Sequence, residues 1–310
     1  MSRIAFLFPG QGSQKVGMGR DFFDRFSLAR EIFDQADAIL GFKLSTICFS
    51  GPEEKLKMTE YTQPALLTVS YIGFRLLQRD PDLAAGHSLG EYSALVAAGC
   101  LTFEDALRLV HKRGLYMQEA VPFGLGAMAA ILGSSYQAIR EALAGVTRGV
   151  VEIANWNSDD QIVISGDADA VKEALTYLPG ARAVMLPVSA PFHCRLMKSA
   201  EERLAVDLDQ VAFRDLRFPI ITNVDSQLIL RGEEARSALK RQVSRPVLWQ
   251  STMETLGREG VETVVELGSG KILLGLLKRS SRSWPRQPQL LNVEDGDTLT
   301  RCQAVLSGAA

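Results

Sequence analysis

Histidine and cysteine are scarce in this chain, neither sign of charge dominates, and no long apolar run occurs; each shortage removes a class of function. Four cysteines, Cys48, Cys100, Cys194 and Cys302, lie scattered without a CxxC pair, which speaks against both a zinc site and a disulfide framework and suits a reducing cytosol. Lys and Arg number 34 against 36 Asp and Glu, so a net charge of −2 offers no field for nucleic acid or an anionic membrane as the main partner. No apolar run reaches the roughly 18 to 20 residues that a membrane span needs. The run Ile4-Ala5-Phe6-Leu7-Phe8 is too short for a signal segment and breaks at Pro9-Gly10, so it reads as a first buried strand. A cytoplasmic protein is expected. There is no internal repeat and no low-complexity tract.

What is present is a globular composition, 310 residues with 46% hydrophobic content, enough for one large core, or for one large and one inserted smaller domain. Its organising stretch is Gly86-His87-Ser88-Leu89-Gly90. A short small-residue run, Leu83-Ala84-Ala85, precedes it, and the helix-forming run Glu91-Tyr92-Ser93-Ala94-Leu95-Val96 follows. Gly-x-Ser-x-Gly between a strand and a helix reads as a nucleophile elbow, because the sharp turn needs small neighbours around the exposed serine. The helix dipole and the free N–H of Leu89 then favour a developing oxyanion. Ser88 as a simple helix N-cap is the plainer alternative, but it leaves the paired glycines unexplained.

The glycine-rich turn Pro9-Gly10-Gln11-Gly12-Ser13-Gln14 follows the first strand, where open α/β sheets place ligands. It lacks a phosphate-loop ending, so its backbone either makes a tight turn or turns an N–H, that of Gln11, toward the same reacting atom as Leu89. Helical patterning runs from Asp21 to Leu40 and again from Thr62, where Gln63 is a first-turn residue or a polar group facing the site. A third helix begins after Thr102, with Asp105 completing a capping pattern, and carries His111-Lys112-Arg113. Between Gly126 and Val188 the rhythm changes to β-α-β-β-α-β, a ferredoxin-like unit, in which Val150 to Ala154 and Gln161 to Ser165 read as two strands separated by the turn-rich Asn155 to Asp160. The division expected is a large domain of residues 1–125 and 189–310 interrupted by a small domain of residues 126–188. Phe218 to Asn223 and Val261 to Leu267 read as returning strands, and Gly268-Ser269-Gly270-Lys271 as a helix entry rather than a phosphate loop.

A serine nucleophile needs a base, and the chain offers three histidines. His87 adjoins Ser88, where neighbouring side chains diverge. His111 lies mid-helix beside two cations. His193, in Ala190-Pro191-Phe192-His193-Cys194, follows the return from the small domain at a cleft edge, which makes it the candidate. Asp225, Glu266 or a backbone carbonyl are the options for orienting it.

Pro9-Gly10-Gln11-Gly12-Ser13-Gln14, Thr62-Gln63-Pro64-Ala65, Gly86-His87-Ser88-Leu89-Gly90-Glu91-Tyr92, Arg113-Gly114 and Pro191-Phe192-His193 together resemble the malonyl-CoA:acyl carrier protein transacylases of fatty acid synthesis. They are also similar to the acyltransferase domains of polyketide synthases. The resemblance implies an α/β fold with a hydrolase-like, parallel-sheet large domain and a ferredoxin-like insertion. It implies that Ser88 is acylated by malonyl-CoA and deacylated by the phosphopantetheine thiol of acyl carrier protein, with His193 as base and acid. The N–H groups of Gln11 and Leu89 would form the oxyanion hole, and Arg113 would pair bidentately with the malonyl carboxylate. Gln63 and Phe192 would line the substrate site, Phe192 as a bulky ring that leaves little room for a 2-methyl branch. No cofactor or metal is implied, and the family is often monomeric. In the family a carbonyl in the loop before a characteristic tryptophan holds the base; here that loop is Arg245-Pro246-Val247-Leu248-Trp249, with Leu248 at a commonly polar position.

Without Arg113, Ser88 and His193 would equally describe a thioesterase or esterase. A silent carrier-docking module, a trans-acting polyketide acyltransferase and the transacylase component of a malonate-decarboxylating system complete the alternatives.

Overall fold

The computed structural model describes residues 3–188 and 190–308; Ser189, at the expected domain boundary, lies outside them. Among the described residues ten strands form two sheets: β1 Arg3–Phe8, β2 Leu83–Gly86, β3 Gly126–Leu132, β4 Val151–Ser158, β5 Gln161–Asp167, β6 Arg182–Met185, β7 Ile220–Ile221, β8 Leu228–Ile229, β9 Val261–Leu267 and β10 Gln289–Val293. The larger sheet has the order β10-β9-β1-β2-β7-β8, parallel except for the antiparallel edge strand β8. Its central strands are covered on both faces, which is why β1 reads as an unbroken apolar run buried from Ile4 to Phe8. Phe8 pairs with Gly86 and Leu7 with Glu266, so the loops leaving β1, β2 and β9 emerge at one edge of the sheet.

The smaller sheet, β4-β5-β3-β6, is antiparallel throughout. Helices Tyr136–Ala144 and Ala168–Thr176 cover it, giving β-α-β-β-α-β with a core that includes Ile131, Ile139, Ile162, Ile164 and Val171. β4 is longer than the sequence suggests. The polar stretch from Asn155, expected as a turn, stays extended to Ser158 because it pairs with β5 as far as Ser158 opposite Gln161. On the other edge Trp156 N–H donates to Val247 O (2.9 Å) and Val247 N–H to Ala154 O (2.9 Å), and this tertiary pairing overrides the local turn preference.

Three other expectations shift. The helix expected from Asp21 to Leu40 is two, Arg20–Arg25 and Ser27–Leu40, parted at an extended Phe26. Phe22 and Phe33 would fall on one face of a continuous helix too, so periodicity does not register the break. The strand expected over Phe218 to Asn223 keeps only Ile220–Ile221. The helix expected from Thr62 begins at Thr59 and carries Pro64 inside it. Proline there cannot donate to the carbonyl of Glu60 four residues back; His111 Nδ1 lies 3.0 Å from that oxygen instead. His111 is thereby accounted for as a structural group.

Helix Thr59–Leu77 packs on helix Phe103–Glu119. A Cβ on Gly114 would lie 2.7 Å from Glu60 Cα and from Thr59 O, so only glycine permits this approach. The contact sets Arg113 beside Gln63. No described helix is long and apolar enough to cross a membrane.

Candidate active site

Gly86 and Gly90 make the turn at the end of β2 possible: a Cβ on Gly86 would meet Gly90 C at 1.9 Å, and one on Gly90 would meet Phe8 O at 2.0 Å. Ser88 sits between them at φ 51°, a left-handed conformation that a residue with a Cβ seldom adopts. Two side chains from elsewhere hold it there. Asn223 Oδ1 accepts from Ser88 N–H (2.6 Å) while Asn223 Nδ2 donates to Gly86 O (2.7 Å), and Gln242 Nε2 donates to Ser88 O (3.0 Å). Ser88 is not a helix cap: Leu89 occupies the cap position of helix Gly90–Ala97, with no side-chain cap bond.

His193, buried and itself at φ 60°, places Nε2 2.7 Å from Ser88 Oγ. Its Nδ1 lies 2.9 Å from Gln242 O, so the proton belongs on Nδ1 and the lone pair on Nε2 faces the serine. Burial, then the nearby Arg113 cation, drives the imidazole pKa down to about 3, which keeps the base neutral. The orienting carbonyl is at the end of helix Gly232–Gln242. In the loop expected to contain it, the backbone of Arg245 makes a smaller contribution at His193, and Leu248 supports Asn223, its N–H donating to Asn223 O (2.9 Å).

Neither candidate acid orients His193. Asp225 is paired with Arg241 (2.6 Å), the hydrogen bond that chiefly lowers its pKa. Glu266 accepts from the N–H groups of Leu273 (3.2 Å) and Leu274 (2.9 Å) at the start of helix Ile272–Ser280. That carboxylate fills the anion position a phosphate would need after Gly268. His87 is not the base either: its Nε2 meets Asn157 Oδ1 (2.9 Å) and its ring packs edge-on to Trp249.

Arg113 is 1% exposed. Its Nη1 donates to Gln63 Oε1 (2.8 Å), and its Nη2 to Gln242 Oε1 (3.0 Å) and Ser88 Oγ (3.1 Å). Tyr92 stacks its ring 5.7 Å from the guanidinium carbon, and Nε has no partner among the described residues. Arg113 forms no ion pair among those residues: its direct hydrogen-bond partners beside the serine are all neutral, and the buried carboxyl of Glu91 acts on it only without contact. Glu91, also fully buried, accepts from Asn223 N–H (3.1 Å) and Gln242 Nε2 (2.6 Å). Burial pushes its carboxyl up to about 7, against those hydrogen bonds and Arg113.

A cavity of about 90 Å³ lies over this group, lined by Gln11, Ser88, Leu89, Arg113, Phe192 and His193 among others. The N–H groups of Leu89 and Gln11 have no acceptor among the described residues, whereas that of Ser88 is taken by Asn223. Phe192 is buried at the cavity wall with Met117 and Met128. A second cavity, about 430 Å³, adjoins it through Gln11, His87, Asn155, Leu186 and Val188 and is walled by Ile272, Leu273 and Leu276. Among the described residues no cluster of three or more His, Cys, Asp or Glu is placed to hold a metal ion.

All seven residues singled out from the sequence, Gln11, Gln63, Ser88, Leu89, Arg113, Phe192 and His193, therefore line one cavity. Sequence reasoning missed Asn223, Gln242 and Glu91. Asn223 carried a signal, the end of a strand beside the elbow strand; Gln242, at the end of an ordinary polar helix, carried none.

The pattern of the acyl transferase domain matches residues 5–300. The chain is 46% identical over 287 residues to the malonyl CoA-acyl carrier protein transacylase of Escherichia coli K12, covering 90% of this chain and 93% of that protein. It is likewise 46% identical to that of Bacillus subtilis 168, over 91% of this chain and 92% of the other. The acyl carrier protein S-malonyltransferase of Vibrio cholerae superposes with a TM-score of 0.93 at 42% identity, covering 97% of this chain and all of that one. A malonyl-transacylase solved in complex with a type II polyketide acyl-carrier protein gives 0.94 at 42% identity, over 98% and 100%. With the Ser88–His193 pair set at the mouth of a parallel sheet and a four-stranded subdomain closing over it, the chain belongs to the acyl transferase domain family.

Proposed function

We propose that this protein transfers the malonyl group from malonyl-CoA to the phosphopantetheine thiol of acyl carrier protein through a malonyl-Ser88 intermediate. The observation that carries the reading is Arg113: a buried guanidinium without a carboxylate partner, 3.1 Å from the nucleophile, receives an acyl group that ends in a carboxylate. A serine hydrolase for neutral esters has no use for that cation.

His193 Nε2 takes the proton of Ser88 Oγ as the oxygen adds to the thioester carbonyl. The N–H groups of Leu89 and Gln11 receive the oxyanion. Collapse breaks the C–S bond, and the departing CoA sulfur takes the proton from His193. The carrier thiol then repeats the sequence on the serine ester, returning the proton to Ser88. The larger adjoining cavity suits the arm common to CoA and the carrier. Side chains and backbone amides supply every step, so no cofactor or metal is proposed; malonyl-CoA is a substrate, and phosphopantetheine arrives on its carrier.

The family resemblance further supports a cytoplasmic monomer acting in fatty acid synthesis, with neither nucleic acid nor membrane as partner. It also supports a division into residues 1–125 with 189–310 and residues 126–188. A polyketide carrier is the second reading, favoured by the likeness to the transacylase solved with such a carrier.

Intact-protein mass spectrometry with malonyl-CoA tests the reading on the wild type and on Ser88→Ala. A malonyl adduct on the wild type alone, discharged onto holo carrier, is expected. Rapid decay to free malonate without carrier would indicate a hydrolase, and no adduct a docking module. Discharge rates onto fatty acid and polyketide carriers separate the two pathways.

A further inference from the structure

Gln242 meets the site with three atoms. Its carbonyl holds His193 Nδ1, its Oε1 accepts from Arg113 Nη2, and its Nε2 faces Glu91 Oε2 (2.6 Å), Ser88 O (3.0 Å) and Asn223 Oδ1 (3.4 Å). An amide in which oxygen and nitrogen exchange places would turn its NH2 toward a guanidinium, donor against donor, and its oxygen toward a carboxylate. The orientation of this amide therefore decides whether Arg113 has an acceptor on that side. Of the three acceptors around Nε2, Glu91 is the shortest contact and the one that can carry charge.

Glu91 is placed to do this by the elbow itself. It is the second residue of helix Gly90–Ala97, fully buried, with Oε2 shared between Asn223 N–H and Gln242 Nε2 and Oε1 without a partner among the described residues. We propose that Glu91 is a positioning residue for malonyl selection: by accepting from Gln242 Nε2 it fixes the amide with Oε1 toward Arg113, and so holds the guanidinium beside Ser88. The inference rests on the reading that Arg113 receives the substrate carboxylate. What the role needs is an acceptor at Oε2, which the carboxylate and the carboxylic acid both provide, the proton of the acid sitting on Oε1. Burial, which raises the Glu91 pKa, is therefore compatible with it.

The test is the ratio of kcat/KM for Ser88 acylation by malonyl-CoA to that by acetyl-CoA. The ratio does not depend on how much of a variant is folded. Glu91→Met, which removes the acceptor, is expected to lower the ratio about ten-fold or more, and Glu91→Gln, whose amide oxygen still accepts, to stay within about three-fold of wild type. An unchanged ratio in Glu91→Met overturns the inference, as does an equal fall in Glu91→Gln, which would assign the effect to charge. Arg113→Ala is measured alongside. If it leaves the ratio unchanged, the reading of Arg113 is what fails; if it collapses the ratio while Glu91→Met does not, the inference about Glu91 fails alone.

Discussion

Arg113 and Ser88 are joined by a hydrogen bond of 3.1 Å from guanidinium Nη2 to hydroxyl Oγ, across 25 residues of chain. His193 Nε2 approaches the same oxygen at 2.7 Å. The serine thus stands between a base and a buried cation. The cation favours the alkoxide that forms as the proton leaves, and, after burial, it adds to what holds His193 in its neutral state. A malonyl carboxylate seated on Arg113 would have one methylene between itself and the carbonyl that Ser88 attacks. Binding and chemistry are then geometrically one event.

Arg113→Ala should therefore remove acylation by malonyl-CoA by about 100-fold or more while raising the relative rate with acetyl-CoA. Steady-state kcat/KM with both thioesters decides it. Equal loss for the two would mean that Arg113 only supports Ser88.

His193→Ala should slow acylation of Ser88 by about 100-fold or more, measured in a single turnover by mass spectrometry. The pH profile carries a second expectation. With the imidazole held down to about 3, its protonation falls well below the assay range, so no acid limb near 6.5 should appear. A limb at the ordinary histidine pKa would contradict the enclosed environment of His193.

The sequence made the reacting pair legible because its chemistry is local. Gly86 and Gly90 announce the turn around Ser88, and only three histidines compete for the role of base. The small sheet was legible through its alternation of short strands and helices. Illegible were the contacts that depend on tertiary register. Asn155 looked like a turn residue until pairing with β5 and with Val247 drew it into a strand, and nothing around Gln242 marked it before the fold turned its carbonyl to His193. Asp225 and Glu266 were plausible acids by position, and each is claimed elsewhere, by Arg241 and by a helix N-terminus.

Glu266 gives a stability prediction. Burial, foremost, raises its carboxyl from 4.5 to about 7, opposed by the backbone N–H groups of Leu274 and Leu273. A raised carboxyl pKa means that the folded state binds the proton more tightly than the unfolded state. The resulting stabilisation is full below about 4.5 and is lost as pH rises through 7. Glu266→Gln lacks this dependence, so the stability gap between wild type and variant should move in the variant's favour by on the order of 2 kcal/mol from pH 5 to pH 8. Urea denaturation of both proteins at the two pH values measures it, with Glu91 common to both. A gap independent of pH would place the Glu266 carboxyl at its ordinary pKa.

Asn223 was not visible as a site residue, and its role follows from one amide doing two jobs. Its oxygen takes the Ser88 N–H and its nitrogen the Gly86 carbonyl, so it spans the elbow and holds Ser88 at its left-handed φ. Asn223→Ala removes the side-chain partner of both backbone groups, which costs about 1 to 3 kcal/mol of stability and should slow Ser88 acylation by about 10-fold or more. Asn223→Asp separates the two jobs. The carboxylate still accepts from Ser88 N–H but turns an oxygen toward the Gly86 carbonyl, acceptor against acceptor, and adds a charge beside the buried Glu91. If the elbow depends on both hydrogen bonds, Asp must fall at least as far as Ala in acylation rate and in thermal midpoint. If Asp restores the rate, the Ser88 N–H bond alone sets the nucleophile, and the Gly86 carbonyl is held by the sheet without help.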